Sequence, residues 1–132
     1  MKEFNELTSL FDNGAFPSFE EYRRIVKISK ITGIKYKTEP ETDGEAKKLA
    51  SIIEYIVRNI DEEADLNWID VTNIKNMSYL FQKSKFNGDI SDWDVSNVED
   101  MSYMFDQCAF DGTSSDISNW DVSNVDYMEG MF

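Results

Sequence analysis

Twelve-residue blocks recur three times in the second half of the chain: DVTNIKNMSYLF at 70–81, DVSNVEDMSYMF at 94–105 and DVSNVDYMEGMF at 121–132. The first two agree at seven of twelve positions, the last two at eight, and the blocks start 24 and then 27 residues apart. The flanks repeat too: Trp93 and Trp120 precede the aspartate, Phe86 and Phe110 follow the block, and Asp89-Ile90-Ser91 matches Asp116-Ile117-Ser118. The longer second interval is explained by Thr113-Ser114-Ser115, placed after Gly112 where a surface loop absorbs an insertion. A unit this short cannot bury its own apolar face, so the units must stack and share one core.

Within a unit, Val98, Met101, Met104 and Phe105 fall on one face of a short helix, and Ser96 with Glu99 three residues on has the form of a capping box. Stacking would then join the Val, Met and Phe columns into a continuous core, with methionine filling irregular gaps. The column Asn73, Asn97, Asn124 is expected to form a ladder of buried amides that satisfy backbone groups of the adjoining unit. Asp70, Asp94 and Asp121 form another column and read as turn framework. Positions that differ between units should face solvent. Lys75, Glu99 and Asp126 share one such column, Asn76, Asp100 and Tyr127 a second, and Gln82 and Asp106 a third.

The pattern W-D-V-S-N-V-x-x-M-x-x-M-F followed by F-x-G-D-I-S resembles the BspA-like leucine-rich repeat of bacterial surface proteins, a class also found in mycoplasma lipoproteins and phage proteins. The resemblance covers about residues 68–132. It implies a leucine-rich-repeat-like solenoid that binds proteins and performs no chemistry, and a small phage-encoded relative suits the architecture.

The first half follows a different period. Phe4, Leu7, Leu10 and Phe11 predict a helix over 3–12 that stops at Asn13-Gly14. Pro17-Ser18 with Glu21 announces a second helix through Phe19, Tyr22, Ile25 and Val26, fraying near Thr32-Gly33. Ile34–Lys37 alternates apolar and basic residues, as a short edge strand or a loop would. A capping box at Thr42 and Glu45 opens a third helix carrying Leu49, Ile52, Ile53, Ile56, Val57 and Ile60. The expected fold is therefore α+β: an N-terminal helical segment, residues 1–60, capping a solenoid of two to three coils, residues 61–132.

The residue types present restrict function. The chain has no histidine and one cysteine, Cys108, so imidazole catalysis, His-liganded zinc and internal disulfides are excluded. Asp106 and Asp111 beside Cys108 would raise its pKa, and it reads as a buried small residue rather than a nucleophile. No acidic run has the D-x-[DN]-x-[DN]-G calcium-loop pattern, so no metal, cofactor or enzymatic activity is expected. No stretch is apolar enough to span a membrane, and the first residues carry acids where a secretory signal carries bases, so a cytoplasmic location without membrane contact is expected.

Charge divides the chain as sharply as periodicity does. The net charge is -13. Residues 1–60 hold ten bases and ten acids, residues 61–132 three bases and sixteen acids. Arg23, Arg24, Lys27, Lys30, Lys35 and Lys37 form a basic stretch without an acid, read as a solvated face offsetting the acidic half. The acid excess argues against direct nucleic-acid binding. The expected function is a non-enzymatic protein–protein interaction module. The alternative is an acidic nucleic-acid mimic, a phage-encoded inhibitor of the anti-CRISPR-like kind, that blocks the basic groove of a nucleic-acid-binding partner. Candidate partner-binding residues are Glu99, Asp100, Asp106 and Asp126 on the acidic surface. Met131 and Phe132 join them because the third block lacks the closing segments of its predecessors, leaving Val125, Met128, Met131 and Phe132 to be covered by the partner or by a homodimer through that end.

Overall fold

The computed structural model describes residues 2–38 and 46–132. Helix α1 spans Lys2–Asp12 and α2 spans Phe19–Thr32. The Ser18 capping box forms as the spacing predicts: the Ser18 hydroxyl accepts from the Glu21 N–H at 3.2 Å and Glu21 Oε1 accepts from the Ser18 N–H at 2.9 Å. At the other end, Gly33 takes the left-handed conformation at φ 77° and its N–H reaches Ser29 O, closing the helix where glycine alone is unstrained. Strand β1 is only Tyr36–Lys37, inside the expected Ile34–Lys37, and pairs in parallel with β2, Ile69–Asp70. Helix α3 spans Lys47–Asn59 and starts from Ala46, which offers no side-chain cap. The expected capping pair Thr42 and Glu45 lies outside the described residues.

The helices bury their apolar faces against the first repeat unit. Leu49, Ile52, Ile53 and Ile56 of α3, Phe4 and Phe11 of α1 and Ile25 of α2 join Trp68, Ile69, Val71 and Ile74 in one core. The Phe11 ring stacks on Trp68 at 5.6 Å and meets Tyr36 at 5.4 Å. The Asp65 N–H donates to the Tyr22 hydroxyl at 2.8 Å. Phe19, at the start of α2, is 49% exposed, with the Arg23 guanidinium over its ring.

The repeats depart from the expected local structure. Val98, Met101, Met104 and Phe105 are buried, but residues 61–132 contain no helix; the backbone runs through successive turns. Alternate N–H groups point sideways into the next unit: Met77 to Asp100 O at 2.8 Å, Tyr79 to Ser102 O at 3.0 Å and Phe81 to Met104 O at 2.8 Å. The same register continues from Met101 to Tyr127 O, Tyr103 to Glu129 O and Phe105 to Met131 O. An N–H committed to a neighbouring unit cannot also close an i→i−4 ring, so lateral pairing excludes the helix. Left-handed φ values at Tyr79, Lys83, Tyr103 and Gln107 break any remaining helical run. Between units the rings register: Phe81 on Phe105 at 5.4 Å, Phe105 on Phe132 at 5.2 Å and Phe86 on Phe110 at 6.0 Å.

Candidate interaction surface

Each turn of the repeats is built around a carboxylate. The Asp70 Oδ1 accepts from the Thr72 N–H at 2.9 Å and from its hydroxyl at 2.7 Å. Asp94 does the same for Ser96, and Asp121 for Ser123. Similar bonds two residues on are made by Asp61, Asp65, Asp89, Asp100, Asp111 and Asp116. Nine of the sixteen acids in residues 61–132 thus satisfy local backbone donors that have no ladder partner. The Ser96 hydroxyl donates to Asp94 at 2.6 Å instead of capping a helix, which corrects the Ser96–Glu99 capping box. Hydrogen bonds from the Ser96 hydroxyl and N–H hold the Asp94 carboxyl below its ordinary range, and the Ser123 pair does so for Asp121. At Asp89 burial pushes the pKa up, but bonds from Ser91, Asn67 and Ser115 outweigh it and the net shift is downward.

The asparagine ladder forms at the surface rather than in the core. Asn97 Nδ2 donates to Thr72 O and Asn124 Nδ2 to Ser96 O, each at 2.7 Å, and Asn73, Asn97 and Asn124 are all exposed. The amides therefore pin one unit to the one before it along an open edge.

The candidate partner-binding acids separate into two kinds. Glu99 and Asp126 are exposed neighbours in one column, their units joined by the Asp126 N–H donating to Glu99 O at 2.8 Å. Asp100 is half-buried, accepts from the Ser102 N–H and lies in the bridge column between Asn76 and Tyr127. Asp106, also half-buried, accepts from Gln82 Nε2 at 2.9 Å. Met131 is half-buried against the core, while Phe132 is 73% exposed although one face of its ring stacks on Phe105.

Several features escaped sequence reasoning. Tyr79 and Tyr103 stack at 5.2 Å, both with left-handed backbone, and the Tyr103 ring lies against Gly130. A Cβ at Gly130 would come within 2.4 Å of that ring. The MSY tripeptide repeated at 77 and 101 against MEG at 128 is the signal that could have found this column. Ser115, read as part of a loop insertion, is buried, and its hydroxyl accepts from the Ile90 N–H at 3.0 Å. The indole N–H groups of Trp68 and Trp93 donate to Asp65 O and Leu66 O, whereas that of Trp120 is buried without a partner among the described residues.

The remaining chemistry is sparse. Cys108 is half-buried with its thiol 3.5 Å from Phe86 O, and burial, not the neighbouring aspartates, pushes its pKa up. A cleft of about 610 Å³ between α3 and residues 79–85 mixes Glu54, Arg58, Glu62, Lys83 and Lys85 over Val57 and Leu80. Among the described residues no group of three or more Cys, Asp or Glu could hold a metal ion, and no helix is long and apolar enough to cross a membrane.

Comparison with curated proteins and with solved structures finds no match. A family model does match, over residues 51–132, which takes in all three blocks and most of α3. By that match the chain belongs to the family described as Mycoplasma protein of unknown function, DUF285.

Proposed function

We propose that the chain is a non-enzymatic protein–protein interaction module. In this reading it is an α+β protein of BspA-like type, a helical cap on a short leucine-rich-repeat-like solenoid, and a partner docks on the outward repeat columns. The observation that carries the reading is the sorting of residues by column. Invariant positions hold core residues such as Val95, Met101 and Phe105, turn acids such as Asp94 or the asparagines that pin unit to unit, while the variable column Lys75, Glu99, Asp126 is exposed at each step of the ladder. A framework held constant beneath a variable outer column is how repeat proteins present a binding surface. The nucleic-acid mimic is less favoured, because nine of the sixteen acids in residues 61–132 already serve the turns, Asp100 among them, and Asp106 is held by Gln82.

The test is affinity capture from a host lysate with the wild type and with Glu99→Lys/Asp126→Lys, identified by mass spectrometry at low and high salt. These two acids are chosen because, unlike Asp100 and Asp106, their side chains hold no turn or neighbouring unit. The reading expects a partner retained by the wild type and lost by the double variant, with salt weakening but not abolishing capture. Capture indifferent to the reversals would remove the acidic repeat column from the interface.

A further inference from the structure

The basic stretch of α2 is only partly paired within the molecule. Arg24 is held by Glu3 through two bonds of 2.8 Å, and Lys30 lies 3.2 Å from Asp65. Among the described residues neither Arg23 nor Lys27 meets a carboxylate; Arg23 stands over the exposed Phe19 ring. Arg23, Lys27 and Lys30 follow one another at helical spacing, so their heads line a single stripe. Beside that stripe the surface dips into a shallow depression of about 400 Å³ lined by Tyr22, Val26 and Ile31. Ile31 is 74% exposed. A solvated charge-balancing face would need the cations but not a β-branched apolar residue standing in water next to a hollow.

We propose that this face of α2 docks an acidic amphipathic segment of a partner protein, an apolar side chain entering the depression at Val26 and Ile31 between carboxylates held by Arg23 and Lys27. Charge complementarity selects the occupant: three cations and no acid line the hollow, in a molecule whose net charge is -13. A basic amphipathic helix can also lie on an anionic membrane. An anionic bilayer, however, would repel a molecule whose net charge is -13 and whose Asp65 already meets Lys30 at the end of the stripe, whereas a short acidic segment needs only the local cations. This surface is separate from the repeat column, so either can fail while the other stands.

The experiment measures fluorescence anisotropy of a labelled, end-blocked helical probe peptide carrying leucines flanked by glutamates at helical spacing. It is titrated with the full chain as wild type, Arg23→Glu/Lys27→Glu and Ile31→Ser. Two control peptides replace the glutamates with lysine or the leucines with alanine, and vesicles of anionic phospholipid form a further arm. The expected result is wild-type binding of the glutamate–leucine peptide, weakened at least about tenfold by each variant and by either peptide change. Because all three substituted residues are exposed, circular dichroism and melting temperature should not move. No wild-type binding up to about 1 mM, binding unaffected by the variants, equal binding of a control peptide, or cosedimentation with vesicles in place of peptide binding would each overturn the proposal.

Discussion

At the residue scale the repeats depend on a few atoms with no tolerance. Gly88 is one: a Cβ there would lie 2.0 Å from Ala64 O, a backbone atom held by the Asp89 N–H. Gly88→Ala should therefore destabilise by about 3 kcal/mol or more, while Gly14→Ala, with left-handed φ but open space, should cost about 1 kcal/mol; thermal melts compare them. The tryptophans make a second contrast. Trp93→Phe removes the donor to the buried Leu66 O and should cost about 1–3 kcal/mol, whereas Trp120→Phe removes a group that has no partner among the described residues and should cost less. The turn aspartates set the acid limit. The folded pKa values of Asp94, Asp111, Asp116 and Asp121 lie below the ordinary 3.8, so the contribution of these four is complete above that value and is lost as pH falls through the depressed ones. Unfolding followed from pH 7 downward should leave the midpoint intact until about pH 4 and reduce it below; a loss already under way at pH 6 would deny these carboxylates that role. The turn acids were legible because Asp followed two residues later by Ser or Thr has a local hydrogen-bond meaning. Ser115 was not, since a polar insertion looks the same in sequence whether its hydroxyl meets water or a buried amide.

At the scale of elements, one kind of signal was readable and another was not. The helices of the first half were visible because apolar period, caps and glycine stops are all local, as at Ser18, Glu21 and Gly33. The repeat blocks showed which residues are buried, yet Val98, Met101, Met104 and Phe105 fit a helical face and a chain of turns equally well. Only the lateral bonds decide, and those depend on a neighbouring unit that a local window does not contain. The unit-to-unit packing centres on Phe105, which lies between Phe81 and Phe132 and 4.8 Å from Phe110. Phe105→Ala should cost about 3–5 kcal/mol, measured by urea denaturation. An unchanged midpoint would mean that the stacked rings contribute no more than surface contacts. Amide exchange should also find the Met77, Tyr79 and Phe81 N–H groups, each bonded to the next unit, more protected than the Asn13 N–H at the end of α1.

At the scale of the whole molecule, the helices and the repeats complete each other. Trp68, Ile69 and Ile74 of the first unit share one core with Phe11, Ile52 and Ile56 of the helices, the Phe11 ring stacking on Trp68, so removing the helices would open that core to water. A fragment of residues 61–132 should accordingly lack a sharp melt. The most direct test of this account is urea unfolding of the full chain followed at once by far-ultraviolet circular dichroism and by tryptophan fluorescence. The two probes report different halves, because the helices end at Asn59 and all three tryptophans, Trp68, Trp93 and Trp120, lie in the repeats. A single cooperative unit predicts superimposable transitions with one midpoint and one slope. Helical signal lost at a clearly lower or higher urea concentration than the tryptophan signal would contradict it, and would make the cap and the repeats independent bodies.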